Sequence, residues 1–299
     1  MISKKDFIAS IITKADRRND YLPRILKNLV KLKRTHFNVT KETGDFVYIT
    51  ICRQNAFDMV RYSIHSFFTH CDYLPKKIII VSDGSWVEKE GIDYFSKYSL
   101  NIFFDNWKNC ADYQKDKGRI HLYEWATKHI WGKKMASILK YSEEGVTLFA
   151  DPDVLWFKSP FNKEILQEDI KLKTSIDNSH NYDEVLIDKL SLSFLYDLPP
   201  INCGIVLAKG NLFDCSSEAI KTAIKAEAQT PGKFAEQTIF AMMVHEFGET
   251  WAESEISASI DDILLPILIK SSYSPQLIAR HYVWIMRWLF WKDILFDHY

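Results

Sequence analysis

The sequence lacks the features that would commit it to nucleic acid, to disulfides or to the membrane interior. Over 299 residues, 38 Lys and Arg face 39 Asp and Glu, a formal net charge of −1. A nucleic-acid binder usually carries a basic excess clustered on one face, so no nucleic-acid partner is expected. No apolar run approaches the roughly 20 residues that a transmembrane helix needs. The five cysteines, Cys52, Cys71, Cys110, Cys203 and Cys215, are odd in number and include no C-x-x-C. No disulfide framework or structural zinc site is expected from them; buried free thiols in a reducing compartment are. The first residues hold two early lysines but no apolar stretch of about 7–15 residues, so no secretory signal is read. Repeats, low-complexity tracts and Gly/Ser linkers are also missing. What is abundant is aromatic: 19 Phe, 14 Tyr and 9 Trp make 14% of the chain. With 47% hydrophobic and 26% charged residues, the composition is that of a folded protein with a large core.

Residues 1–44 read as a basic, helical N-terminal extension. Lys14, Arg17, Arg18, Arg24, Lys27, Lys31, Lys33 and Arg34 accompany an apolar stripe that includes Ile8, Ile11, Leu22, Leu26 and Val30. Its charge fits a solvated helix face, with a patch for acidic lipid as the second reading. From Gly44 the pattern changes, and 45–299 reads as one catalytic unit. Apolar, β-branched runs at 46–52, 77–84, 100–104 and 145–150 predict buried strands, and helix-like stretches separate them. Strands alternating with helices predict an α/β fold with a mainly parallel, doubly wound sheet. Such sheets bind ligands beyond the carboxyl ends of their strands.

The sharpest feature stands at one such end: Phe149-Ala150-Asp151-Pro152-Asp153-Val154-Leu155-Trp156. In extended backbone, side chains two apart point the same way. Asp151 and Asp153 would then converge and repel unless a hard cation sat between them. Mg²⁺ and Mn²⁺ prefer oxygen ligands and are commonly shared between carboxylates and substrate phosphates. The alternative is a polar turn with both aspartates solvated.

The segment 148–155 resembles the D-x-D motif of GT-A nucleotide-sugar glycosyltransferases, particularly the family-8 type. Other segments match in order. Lys133-Lys134 stands where that family has a basic residue on the diphosphate, with Lys134 the better aligned. Pro200-Ile201-Asn202-Cys203-Gly204 resembles the N-x-G strand beside the sugar. Phe234-Ala235-Glu236-Gln237 resembles the acidic-Gln pair near the reacting carbon. Arg280-His281-Tyr282-Val283-Trp284-Ile285-Met286-Arg287 resembles the H-x-x-G-x-x-K segment. Here Trp284 replaces the glycine and Arg287 the lysine; arginine serves a phosphate well.

The resemblance spans about residues 45–292 and implies a GT-A, Rossmann-like α/β fold. It implies a metal-dependent transferase moving a sugar, with retention, from a nucleotide-diphosphate donor of the UDP kind to an acceptor hydroxyl. The acceptor would be a saccharide or lipid-linked saccharide, such as a bacterial surface glycan. Asp151, Asp153 and His281 would hold Mn²⁺ or Mg²⁺. Ile51, Arg53, Asp83, Lys134, Asn202, Gly204 and Arg287 would bind the donor, with Asp83 accepting from the uracil N–H. Glu236 and Gln237 would act at the sugar. If Glu236 were instead a base, the outcome would be inversion.

Read from the residues alone, Asp83 before Gly84 equally fits an Asx turn, and Glu236 a first-turn helix acid. His121, His129 and His245 lack partner spacing and read as structural. The aromatic C-terminal run 283–296 is apolar nearly all round, which predicts burial. An interfacial helix at the inner face of the membrane is the second reading, so a cytoplasmic protein with or without peripheral membrane contact is expected. Two other functions remain open. One is a haloacid-dehalogenase-type phosphatase with Asp151 as nucleophile and Asp261-Asp262 as its later acidic pair. The other is a non-catalytic nucleotide-sugar-binding module.

Overall fold

The structure is a computed structural model that describes residues 21–31, 37, 40–98, 100–160, 171–258, 276–283 and 287–296. The run Thr43–Cys52 forms strand β1, beginning earlier than its apolar core predicts. It is followed by helix α2 (Phe57–His70), strand β2 (Leu74–Ser82), helix α3 (Glu88–Phe95) and strand β3 (Ile102–Asn106). Ahead of β1 lies helix α1 (Tyr21–Val30). Helices α4 (Trp107–Asp116), α5 (Ile120–Lys128) and α6 (Ile130–Glu144) lead into strand β4 (Thr147–Ala150). Then come β5 (Val154–Trp156), β6 (Leu172–Ile176), helix α7 (Glu184–Leu190) and β7 (Ile201–Ala208). Helices α8 (Leu212–Cys215), α9 (Glu218–Gln229) and α10 (Ala235–Phe247) precede strands β8 (Gly248–Trp251) and β9 (Ile256–Ser257). Strand β10 (Ala279–His281) and helix α11 (Arg287–Phe296) end the described chain.

Seven strands form the main sheet in the order β3-β2-β1-β4-β7-β6-β8. The β3-β2-β1-β4 half is parallel, β7 runs antiparallel to both β4 and β6, and β8 is parallel to β6. The expectation of a mainly parallel α/β sheet therefore holds, with one reversed strand inserted beside the acidic motif.

Strand alternation sorts the core. On β1 and β2, Val47, Ile49, Ile51, Ile79 and Val81 face one layer, with Leu122, Trp125, Met135 and Leu139 of α5 and α6. Phe46, Tyr48, Cys52, Ile78 and Ile80 face the other, with Val60, Ile64, Phe67 and Phe68 of α2. Both faces are covered by helices, which is why these strands read as continuous apolar runs rather than alternating ones. Each such side chain contributes about 1.5–3 kcal/mol of burial.

A smaller sheet, β5-β10-β9, stands apart from the main one. Over it lies a third apolar cluster in which Leu26 and Val30 of α1 meet Tyr62, Tyr282 and Trp288, Leu289, Phe290, Trp291 and Ile294 of α11. The C-terminal aromatics expected to be buried thus form a core on this side. Four cysteines are buried and free as expected, but Cys215, at the end of α8, is exposed. No helix among the described residues is long and apolar enough to cross a membrane.

Candidate metal and sugar-nucleotide site

The acidic motif does not continue the strand. Chain pairing with β7 stops at Ala150, and 152–153 form a turn before Val154 starts β5 in the other sheet. This corrects the extended-backbone reading: Pro152 has no N–H for a ladder, and the turn brings the two carboxylates together. Asp151 N–H donates to Gly204 O of β7 at 2.7 Å, and Val154 N–H to Asp151 O at 3.3 Å, which closes the turn.

The third member arrives through the small sheet. β10 runs antiparallel to β5 with His281 opposite Val154, so the imidazole stands beside the turn. Its Nε2 lies 3.5 Å from Asp151 Oδ2 and 3.3 Å from Asp153 Oδ1. One ligand atom from each of Asp151, Asp153 and His281 lies within 4.8 Å of the others. Its other nitrogen, Nδ1, is 2.8 Å from Asn202 Oδ1, which also accepts the Gly204 N–H at 2.8 Å. An amide oxygen facing Nδ1 requires a proton there, which leaves Nε2 as the ligating lone pair. Two carboxylates and one imidazole suit Mn²⁺ or Mg²⁺ among hard cations. The residues present therefore fit such an ion.

Without a cation the acids rely on protein charge. Burial pushes Asp153 upward, but His281 and the Arg287 guanidinium outweigh it and hold its carboxyl well below the usual range. Burial likewise opposes the charged form of His281, and Asp153 and Asp151 reverse that, leaving its imidazole raised. Arg287, the first residue of α11, reaches Asp153 Oδ2 with Nε at 2.7 Å.

Beneath the acids lies Lys134, in the second turn of α6 and only 3% exposed. Its Nζ contacts Asp151 Oδ2 at 3.1 Å, donates to Cys203 O at 2.8 Å and lies 3.0 Å from Glu236 Oε1. The last contact is an ion pair by distance whose angle misses a hydrogen bond. Burial opposes the lysine's charge, but Asp151 and Glu236 overcome it and raise its pKa. Glu236 moves the other way: burial pushes its carboxyl up to about 7 against the pull of Lys134. One ammonium shared by three acceptors cannot fully compensate each of them.

These residues line a cavity of about 410 Å³ that Asn202, Gly204, Gln237 and Arg287 also border. Five further lining residues escaped the sequence reading: Trp131, Asp177, Asn178, Asn181 and Lys233. Asp177 Oδ2 accepts from Asn202 Nδ2 at 3.2 Å and from Gln237 Nε2 at 3.0 Å, joining β7 to α10. The signal for it was weak: Asp177 follows a strand as Asp151 does, but three of the five residues of that strand, Lys173, Thr174 and Ser175, are polar.

Three expected donor residues, Ile51, Arg53 and Asp83, do not line this cavity. Ile51 is 6% exposed and packs in the core. Arg53 Nε stands 3.5 Å from Asp83 Oδ2, beyond the strand ends of β1 and β2. Asp83 Oδ1 accepts the Ser85 N–H at 3.0 Å, so the Asx turn is formed, while its second oxygen faces Arg53. Trp284 and the Asp261-Asp262 pair lie outside the described residues. A second hollow, of about 550 Å³, lies beside α2 and α3. There Asp58 is engaged by Tyr94 and Lys27, and Glu90 by Gln54 and the Val87 N–H.

No family model matches the chain, and no curated protein sequence does. Solved structures do match. Mouse xyloside xylosyltransferase 1, in its apo form, superposes with a TM-score of 0.54 at 10% identity, over 82% of this chain and 99% of that one. Galactosyltransferase LgtC, in complex with donor and acceptor sugar analogues, superposes at 0.51 with 12% identity, over 80% and 87%. The seven-stranded sheet with its reversed strand thus has the GT-A fold of these two glycosyltransferase structures.

Proposed function

We propose that the protein transfers a sugar from a nucleotide-diphosphate donor, of the UDP kind, to a hydroxyl of a saccharide or lipid-linked saccharide. The observation that carries this reading is the convergence of Asp151, Asp153 and His281, with His281 oriented by Asn202, in the wall of a cavity at the strand ends of this fold. A divalent cation held there would act as a Lewis acid on the departing diphosphate.

The remaining chemistry belongs to the chain. Lys134 keeps Asp151 in place and adds positive charge below the diphosphate. Arg287, with its side chain 58% exposed, can turn from Asp153 to a phosphate once a cation satisfies that carboxylate. Charge developing on the leaving nucleotide is thereby met by groups already in position. Asn202, Asp177 and Gln237 form a hydrogen-bonded rim that would hold sugar hydroxyls. Glu236, titrating near 7 in the cavity wall, can exchange a proton at neutral pH. Retention of configuration is what the family-8 resemblance implies, with inversion the outcome if Glu236 acts as a base; Arg53 and Asp83 would meet the nucleotide's base.

The phosphatase reading has no observation in its favour, because Asp151 follows the fourth strand of the chain rather than opening the fold. The test is UDP release from a panel of UDP-sugars with and without Mn²⁺. Release that requires Mn²⁺ and is lost in Asp153→Ala supports the assignment. Turnover unchanged by that substitution overturns it.

A further inference from the structure

His281 and Tyr282 are neighbours in sequence but point to opposite sides, as adjacent residues at a strand end do. His281 enters the cavity, while Tyr282 enters the aromatic cluster beneath α11. There the Tyr282 hydroxyl donates to Asp293 Oδ2 at 2.5 Å, and Lys292 Nζ lies 2.9 Å from Asp293 Oδ1. All three are deeply buried: Tyr282 and Asp293 are 0% exposed and Lys292 is 2%. The Tyr282 ring also meets Phe290 edge-on at 5.6 Å.

A charged pair in an apolar cluster is a weak source of stability, since removing both charges from water offsets their attraction. A phenylalanine and two apolar partners would fill the same space. The polar trio does differ from them in directionality. The Tyr282 N–H donates to Asp153 O at 2.8 Å, so the same residue is bonded to the acidic turn by its backbone and to α11 by its side chain. Helix α11 is bonded to that turn again at its first residue, where Arg287 meets Asp153. Tyr282 therefore has two fixed ends, and the imidazole of the residue before it has little freedom left.

We infer that Tyr282 and Asp293 are positioning residues for the metal site, locking His281 at the height and rotation at which Nε2 faces Asp151 and Asp153. This inference rests on the proposed metal role of those three side chains. Neither Tyr282 nor Asp293 would touch the ion; both act through His281. Loss of a group bonded directly to a metal-bound histidine, as Asn202 is here, typically changes affinity 10- to 100-fold; Tyr282 acts one link further out, so the lower end of that range is expected.

The experiment is a Mn²⁺ titration of the whole chain, with and without UDP, followed by the electron paramagnetic resonance of free Mn²⁺. Wild type, His281→Ala, Tyr282→Phe and Asp293→Asn are compared, each with a thermal unfolding curve. Tyr282→Phe keeps every ring contact and loses one hydrogen bond to Asp293, a cost its unfolding curve reads, and the Mn²⁺ affinity of the folded variant is expected to fall about tenfold. Asp293→Asn is expected to fall similarly, and the double variant no further than the worse single one, because the two share one bond. If Asp293→Asn fails to fold, Tyr282→Phe alone decides. Wild-type Mn²⁺ affinity in folded Tyr282→Phe overturns the inference while a loss in His281→Ala keeps the metal site. Equal affinity in wild type and His281→Ala overturns both.

Discussion

The imidazole of His281 occupies the space that a side chain at residue 204 would need. A Cβ built on Gly204 would lie 2.0 Å from His281 Nδ1 and 2.2 Å from Cε1. The N-x-G segment of β7 therefore has two tasks in residues two apart: Asn202 supplies the oxygen that orients the ring, and Gly204 supplies the room for it. The backbone of Gly204 meanwhile binds the acidic turn through its carbonyl.

From this contact follows the first prediction. Gly204→Ala forces the imidazole off its position, because the atoms it meets belong to a ring bonded on its far side. Unfolding in urea should show a loss of about 1–3 kcal/mol, as overpacking usually causes. A Mn²⁺ titration of the folded variant should show affinity reduced more than tenfold. Wild-type affinity would refute the steric account.

Arg287 tests a different link. Its guanidinium pairs with Asp153 at 2.7 Å while its side chain stays largely in solvent. Arg287→Met should leave Mn²⁺ binding without nucleotide unchanged or tighter, since a competitor for the carboxylate is gone. Calorimetry with UDP and Mn²⁺ should show nucleotide affinity lowered about tenfold or more, with Arg287→Lys in between, as loss of a bidentate phosphate contact implies.

Glu236 should make stability depend on pH. Burial raises its carboxyl from 4.5 to about 7, so between those values the folded chain holds a proton that the unfolded chain has released. Stability from this group is complete below about pH 4.5 and is lost as pH rises through 7. The swing is on the order of 3 kcal/mol. Urea midpoints for wild type and Glu236→Gln should converge at acid pH, and the wild type should decline more steeply towards pH 8. Parallel profiles would show that Glu236 keeps its ordinary pKa.

Lys134 and Glu236 should also couple. Lys134→Met leaves Asp151 and Glu236 without their ammonium, and removing one partner of a buried pair typically destabilises by about 3–5 kcal/mol. Lys134→Met with Glu236→Gln should recover part of that, giving a double-mutant coupling of about 0.5–3 kcal/mol. Strict additivity would mean that the 3.0 Å approach is not an energetic interaction.

Much of the site was legible before the structure because it follows strand rules. Asp151 and Asp153 stand out as acids after an apolar strand, a rule that does not reach Asp177 after Leu172–Ile176. It was missed because Lys173, Thr174 and Ser175 dilute the apolar run that marks a buried strand. The paired direction of the two aspartates was expected for the wrong local reason: a proline turn, not extended backbone, brings them together. Asp83 shows the limit of local reading, since an Asx turn and an arginine contact coexist on its two oxygens.

What the amino-acid sequence determined by itself was the run of buried strands from β1 to β4 and the acids at the end of the last of them. Those depend on hydrophobic periodicity and on residues close along the chain. That His281 meets the aspartates was implied by the family resemblance but by no residue pattern, because it requires β10 to pair with β5 across a long stretch of chain; the tertiary structure supplies that pairing. It also decided that Lys134 would be shared by Asp151, Cys203 and Glu236, and that Tyr282 would be fastened to α11. Burial of those charges arises only when separate elements close over them, so no spacing within a single segment could have encoded it.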